Sequence, residues 1–295
     1  MSRKNALSAF APLLISWALL VLPASAQHFQ QVTGTLTAVA AGRNEVFGFD
    51  VHGQVWRYKP TTQSFGKVKG VKLVHIAVGG GTVSQLDDVW GIDASNNVYH
   101  FNYSTKTFDQ ITGAVLQTIT VGVSNRDSCH PYEVWGINPS QQVFRFDYCT
   151  GQFNQSPNSL LIEIGTGGSD LWGISSNLEI WHYNFSKNSF GQVSGSLAQL
   201  AVGVNDMWGI SSSNQLFRFD PNTGGFAQFA GTFGQVSAGG DGVWAIDGSN
   251  NIFRFDPSLN ALVQVSGSLK QISVGSGAGI FGVNLSGQVF TFVRP

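Results

Sequence analysis

Six histidines and one pair of adjacent carboxylates are the groups in this 295-residue chain whose types best suit catalysis or metal binding. The histidines, His28, His52, His75, His100, His130 and His182, show no His-x-x-x-His or other close ligand spacing, so no zinc site is expected. The sequence contains no Gly-x-Ser-x-Gly elbow, phosphate-binding loop or Cys/His nucleophile constellation. Glycoside hydrolysis needs paired carboxylates in a cleft, and Asp87-Asp88 is the only adjacent acidic pair. Side by side on a loop, these two are expected to be solvated or turn-forming. The chemistry to expect is therefore binding, with no enzyme activity and no cofactor.

Two recurring series could carry that binding. Arg57, His100, Arg145, His182, Arg218 and Arg254 return at one position of the repeat, with Thr291 as a seventh member. Arginine suits bridging of carboxylates and carbonyls between structural units, which is the part to expect of such a ring, with a repeated ligand contact as the alternative. Trp90, Trp135, Trp172, Trp208 and Trp244 form the second series, completed by Phe47 and Phe281. Large aromatics either pack between units or leave a face or an indole N–H open to ligand.

The elements that position both series are repeats. An aromatic-Gly pair inside a hydrophobic run recurs seven times, from Val46-Phe47-Gly48-Phe49 through Val134-Trp135-Gly136-Ile137 to Ile280-Phe281-Gly282-Val283, with Ala245 replacing the glycine in the sixth copy. Successive aromatics lie 43, 45, 37, 36, 36 and 37 residues apart, a repeat-architecture spacing. Each copy holds four short runs of β-branched and aromatic residues bounded by Gly, Asn, Asp and Ser. In the fifth they are Leu197 to Val202, Met207 to Ile210, Gln215 to Phe219 and Phe226 to Phe229. No helical period follows the N-terminal segment. The expected fold is all-β, a seven-bladed β-propeller of four-stranded blades. Phe29 to Gly34 matches the fourth-strand segments, and the chain ends on a third strand, so the N-terminal strand is expected to complete the last blade.

Two repeats depart from the pattern in one loop. From the glycine ending the first strand to the next aromatic the usual step is 5 residues, but Gly79 to Trp90 is 11 and Gly122 to Trp135 is 13. Cys129 lies in the second insertion and Cys149 follows the third strand of the same repeat, so adjacent hairpin ends predict a disulfide between them. Export would permit it. Residues 1–26 carry Arg3 and Lys4, an apolar stretch and an Ala-Ser-Ala end, the pattern of a cleaved signal peptide; an uncleaved anchor is the alternative. Cleavage would leave residues 27–295 with no further span, secreted or periplasmic, with 14 basic residues against 17 acidic ones, a net charge of −3. That balance excludes a nucleic-acid partner, and 42% hydrophobic with 11% charged residues excludes disorder as the main state.

Val-Trp-Gly-Ile, a polar turn, an aromatic-Arg-aromatic strand and then Phe-x-Gln-Val-Ser-Gly-Ser-Leu-x-Gln-Ile-x-Val-Gly together resemble the tectonin-repeat family of β-propeller lectins, across Phe29 to Phe292. The resemblance implies binding of lipopolysaccharide or other glycans through several equivalent sites. Carried onto this chain, it makes Trp90, Trp135, Trp172, Trp208, Trp244, Arg145 and Arg218 the candidate carbohydrate-binding residues. Many relatives have six repeats, and Phe47, Ala245 and Phe281 replace consensus Trp or Gly here. A protein-interaction scaffold using Gly80 to Asp88 and Val123 to Glu133 is the competing reading.

Overall fold

A computed structural model describes residues 27–294 except residue 205; the expected signal segment lies outside the described residues. The described residues form 28 strands and no helix. Repeats two to six each make a separate four-stranded antiparallel sheet, their strands adjacent in chain order. The remaining strands form one eight-stranded sheet, in which the four strands of the first repeat join a second set of four through a single parallel pairing, Thr33 opposite Ser64. That second set contains the three strands of the last repeat and the N-terminal strand His28–Thr35. Head meets tail there, with Gln31 opposite Phe290 and Val32 opposite Val289.

The aromatic-Gly pair has a packing cause. In the second repeat a Cβ on Gly91 would collide with the side chain of Leu73; Gly136, Gly173, Gly209 and Gly282 stand in the same relation to Leu116, Leu161, Leu197 and Leu269. Each glycine thus admits a buried leucine from the start of its own repeat. In the sixth repeat Ala245 stands with buried Phe233 in place of leucine. The aromatic beside the glycine points to the following repeat. Ring centroids lie 5.0 Å apart for Phe47–Phe101, 4.7 Å for Trp90–Phe146, 4.8 Å for Trp135–Tyr183 and Trp172–Phe219, and 4.9 Å for Trp208–Phe255. Trp244–Phe292 follows at 4.7 Å, and Phe281 meets Tyr58 of the first repeat at 4.9 Å. Edge-on rings at such distances add to the apolar burial that holds neighbouring sheets together.

The polar residues after the second strand serve the hairpin turns. Asp50, Asp93, Asn138 and Asp247 each accept two backbone N–H groups of the turn that follows, as Asp93 does from Ser95 and Asn97 at 2.8 and 2.9 Å. The two insertions have different structures. In the third repeat the first two strands lengthen into a hairpin, Thr118–Asp127 and His130–Ile137, joined by an irregular register between Val123 and Asp127. The expected disulfide is present at its tip, with the Cα atoms of Cys129 and Cys149 5.0 Å apart. Tyr132 of this hairpin donates its hydroxyl to the Leu86 carbonyl in the other insertion at 3.0 Å.

Candidate functional site

The Arg/His series and the aromatic series face each other across one hairpin. Register pairs Phe47 with Arg57, Trp90 with His100, Trp135 with Arg145, Trp172 with His182 and Trp208 with Arg218. Two residues before each of these aromatics stands a carboxylate: Glu45, Asp88, Glu133, Asp170 and Asp206. Side chains two apart on a strand share a face, so acid, aromatic and base form one cluster per repeat. Trp135 donates its indole N–H to Glu133 at 2.8 Å, and Trp172 and Trp208 donate to Asp170 and Asp206 at the same distance; Trp90 donates to Asp88. On the other side of the acid, Arg145 makes two hydrogen bonds to Glu133 at 3.0 and 2.7 Å, and His100 and His182 lie 2.6 Å from Asp88 and Asp170. Arg57 grips Glu45 through both oxygens, while Arg218 is 3.7 Å from Asp206. The imidazoles stack flat on their tryptophans, at 4.3 Å for His100 on Trp90 and 4.0 Å for His182 on Trp172.

This arrangement corrects three expectations. Trp90, Trp135, Trp172, Trp208 and Trp244 are each 0–1% exposed, so no sugar can stack on them as they stand. The rings of Trp90, Trp135, Trp172 and Trp208 are covered by the next repeat on one side and by the Arg or His on the other, and Trp244 packs against Phe29 and Phe292. Asp87 and Asp88 are buried, so of the two expected parts the solvated one fails and the turn-forming one holds for Asp87. Asp87 accepts four backbone N–H groups, from Arg43, Asn44 and Glu45 of the preceding repeat and from Gly81, at 2.6 to 3.1 Å; it fixes a turn across a sheet boundary. Asp88 binds Tyr148 of the next repeat besides Trp90 and His100. Finally, Arg57, His100, Arg145, His182 and Arg218 each bridge a carboxylate of their own repeat and not of a neighbouring one, against the expectation of bridges between repeats.

The bases reach solvent in these clusters, joined in the fourth repeat by the acid, the Asp170 side chain being 46% exposed. Side-chain exposure is 18% for Arg145 and 39% for both His182 and Arg218. Burial alone would raise the Asp170 carboxyl, but hydrogen bonds from His182 and Trp172 outweigh it and hold the group below the usual carboxylate range. Burial, reinforced by the Asp88 charge, pushes the Tyr148 hydroxyl far up, so it stays a neutral donor.

Sequence reasoning missed the carboxylate two positions before the aromatic, although the spacing was readable. The sixth and seventh repeats have Gly242 and Gly279 there. Accordingly the Trp244 indole N–H is buried without a partner, and Arg254 bonds the Gln27 side chain at 2.9 Å.

The clusters open into clefts on one face. One cleft of about 320 Å³ between the fourth and fifth repeats is lined by Asp170, Trp172, His182, Asp206 and Pro221. The next, about 380 Å³, is lined by Asp206, Arg218, Asn222 and Asn260. A third, about 730 Å³, lies where the first repeat meets the second and seventh. Residues of all seven first strands line a further cavity of about 290 Å³. Such clefts can hold a small polar ligand by several hydrogen bonds. Among the described residues the one group of three possible metal ligands is Cys129, Asp147 and Cys149, whose sulfurs are joined to each other.

Comparison with known proteins matches the tectonin domain family to residues 21–160 and 198–294. No curated protein matches the chain. Several solved structures share the fold. One, described as YCF48 bound to D1 peptide, superposes with a TM-score of 0.67 at 12% identity, covering 93% of this chain and 99% of that one. The WD40 repeats of RRP9 give 0.64 at 10% identity, covering 92% and 98%. Prp20p from Saccharomyces cerevisiae, described with its binding to Gsp1p and histones, gives 0.65 at 9% identity, covering 87% and 82%. WD40 repeats form β-propellers, and this chain shares that architecture.

Proposed function

Because the chain belongs to the tectonin family, we propose that it is a secreted, non-enzymatic carbohydrate-binding protein that recognises cell-surface or polymeric glycans, lipopolysaccharide among them. In this reading residues 27–295 form one seven-bladed propeller, closed where the N-terminal strand completes the last blade, behind a cleaved signal segment. The observation that carries it is the repetition of a polar cleft on one face, each built on an acid, a buried aromatic and a part-exposed base. Bases and carboxylates in such clefts bond sugar hydroxyls as donors and acceptors. Single contacts of this kind are weak, and several on one rigid ring give avidity for a polymer.

The test follows from the buried tryptophans. A glycan array on the mature protein should show binding, and His182→Ala with Arg218→Ala should weaken it while the urea midpoint stays close to that of the wild type. Silence across the array, or binding indifferent to both substitutions, refutes the reading.

A protein-binding scaffold is the second reading. It is favoured by the two insertions, tied together by Tyr132 and Leu86 and carrying exposed Val83 and Leu86. The solved relatives YCF48 and Prp20p bind a peptide and proteins by their descriptions. If Val83→Ser and Leu86→Ser abolish capture of a partner while glycan binding is absent, this reading replaces the first.

A further inference from the structure

The cleft of about 730 Å³ differs in charge from its counterparts. Arg43, Arg57, Lys59, Lys67 and Lys106 line it, against one carboxylate, Glu45, which is already held by Arg57. Among the described residues no carboxylate lies within 4.0 Å of Lys59, Lys67 or Lys106. This concentration of positive charge sits in a protein that is net negative at neutral pH.

Comparison between repeats shows that two of these lysines depart from the pattern at a local cost. Lys59 occupies the last position of the third strand, where the next five repeats have Asn102, Asp147, Asn184, Asp220 and Asp256. Each of those accepts a backbone N–H of the following turn at 2.8 to 3.0 Å. A lysine has no acceptor, so the first repeat gives up that bond. The ammonium arm instead lies across Gly66, where a Cβ would collide with Lys59 Cε. Lys106 occupies the left-handed position of the next turn at φ +59°, where the first repeat has Gln63 at φ +46° and repeats three to six have Gly151, Asn188, Gly224 and Asn260. Holding a lysine there costs about 1 kcal/mol relative to glycine.

We infer that this cleft is the subsite for an anionic saccharide, a sugar unit bearing a carboxylate or a sulfate, with Lys59 and Lys106 as its charge-recognising residues. The inference deepens the carbohydrate-binding reading and rests on it. Tyr58 and Pro60 supply apolar surface beside the cations, as a pyranose ring requires. Net negative charge elsewhere on the protein disfavours a long nucleic acid, for which a continuous basic track would be needed.

The test uses the mature protein and a double variant, Lys59→Asn with Lys106→Gly, which restores the residues of the sister repeats and should fold at least as well, as read from its urea midpoint. Titrations would use oligogalacturonate, dextran sulfate, neutral dextran and a single-stranded oligonucleotide of matched charge, at about 20 and about 200 mM salt. Oligogalacturonate or dextran sulfate should bind, the stronger of the two naming the anionic group. Binding should fall steeply with salt and drop about tenfold in the double variant. Unchanged affinity in the variant, or equal binding of the oligonucleotide, overturns the inference. If neutral and array glycans bind but no anionic sugar depends on Lys59 and Lys106, this inference alone fails. If no sugar of any kind binds, the carbohydrate reading fails with it.

Discussion

Replacing Glu163 by glutamine should stabilise the protein, and only above mildly acidic pH. Glu163, Gln199, Gln235 and Gln271 occupy the same place in four successive repeats, opposite Ile174, Ile210, Ile246 and Val283. Each reaches across to the first strand of the next repeat. Gln235 accepts from Ile272 N–H at 2.9 Å and donates to its carbonyl at 3.2 Å; Gln271 does the same with Val39, at 3.1 and 3.0 Å. Glu163 accepts from Leu200 N–H at 2.9 Å, but as a carboxylate it has no proton for a second bond. Burial pushes its carboxyl from 4.5 up to about 7, against the opposing effect of the Leu200 hydrogen bond. The folded state therefore holds a proton that the unfolded chain has released between these two values, and stability falls as pH rises through that window. At 1.36 kcal/mol per unit the full loss is roughly 3 kcal/mol, and partial exposure brings it to roughly 2 kcal/mol. Urea unfolding of wild type and Glu163→Gln at intervals from pH 4.5 to pH 8 measures it. The curves should nearly coincide at the acid end and separate by about 2 kcal/mol above pH 7, the variant being the more stable. Parallel pH profiles for the two proteins would refute the argument.

Three further outcomes test the same architecture. His75, at the equivalent place in the second repeat, sits 2.9 Å from the Ile119 carbonyl, and burial lowers its pKa below 6.5; stability should therefore fall as pH drops below 6.5, and His75→Gln should remove that acid sensitivity in the same titration. Glu133 accepts from Trp135 and Arg145 and pairs with Arg126 at 3.2 Å, so Glu133→Ala strands a buried indole N–H and a part-buried guanidinium and should cost about 3 kcal/mol in urea, with Arg145→Ala adding little once Glu133 is gone. Reducing the disulfide between Cys129 and Cys149, separated by 20 residues, should cost about 3 kcal/mol of stability, measured by unfolding with and without reductant, and an unchanged midpoint would contradict its place as the pin of the long hairpin.

The repeat was legible because packing repeats in sequence whenever it repeats in space. A glycine beside the second-strand aromatic and a leucine at the start of every repeat but the sixth, with Asx residues at most of the turns, answer local demands for room, apolar contact or an acceptor. The disulfide was legible for a similar reason, since hairpin ends meet by construction. The burial of the tryptophans was not. A ring's exposure depends on the neighbouring repeat, and Trp172 is covered by Phe219, 47 residues on in the chain. Nor did adjacency disclose the parts of Asp87 and Asp88, since their partners, Arg43 to Glu45 and Tyr148, belong to flanking repeats.

Sequence alone thus determined the all-β repeat, its strand boundaries to within a few residues and the cysteine bridge, consequences of local spacing and hairpin pairing, and also the chain-end pairing, read from the likeness of the first strand to the fourth strands of the repeats. Tertiary structure alone decided which side chains reach solvent. The aromatic, the acid and the base alternate along adjacent strands with nothing local to separate buried from open, and the rings take the interior because burying their area is the largest gain the sheet boundaries offer. The long cationic arms extend over those rings into the clefts, where water can still solvate the charge.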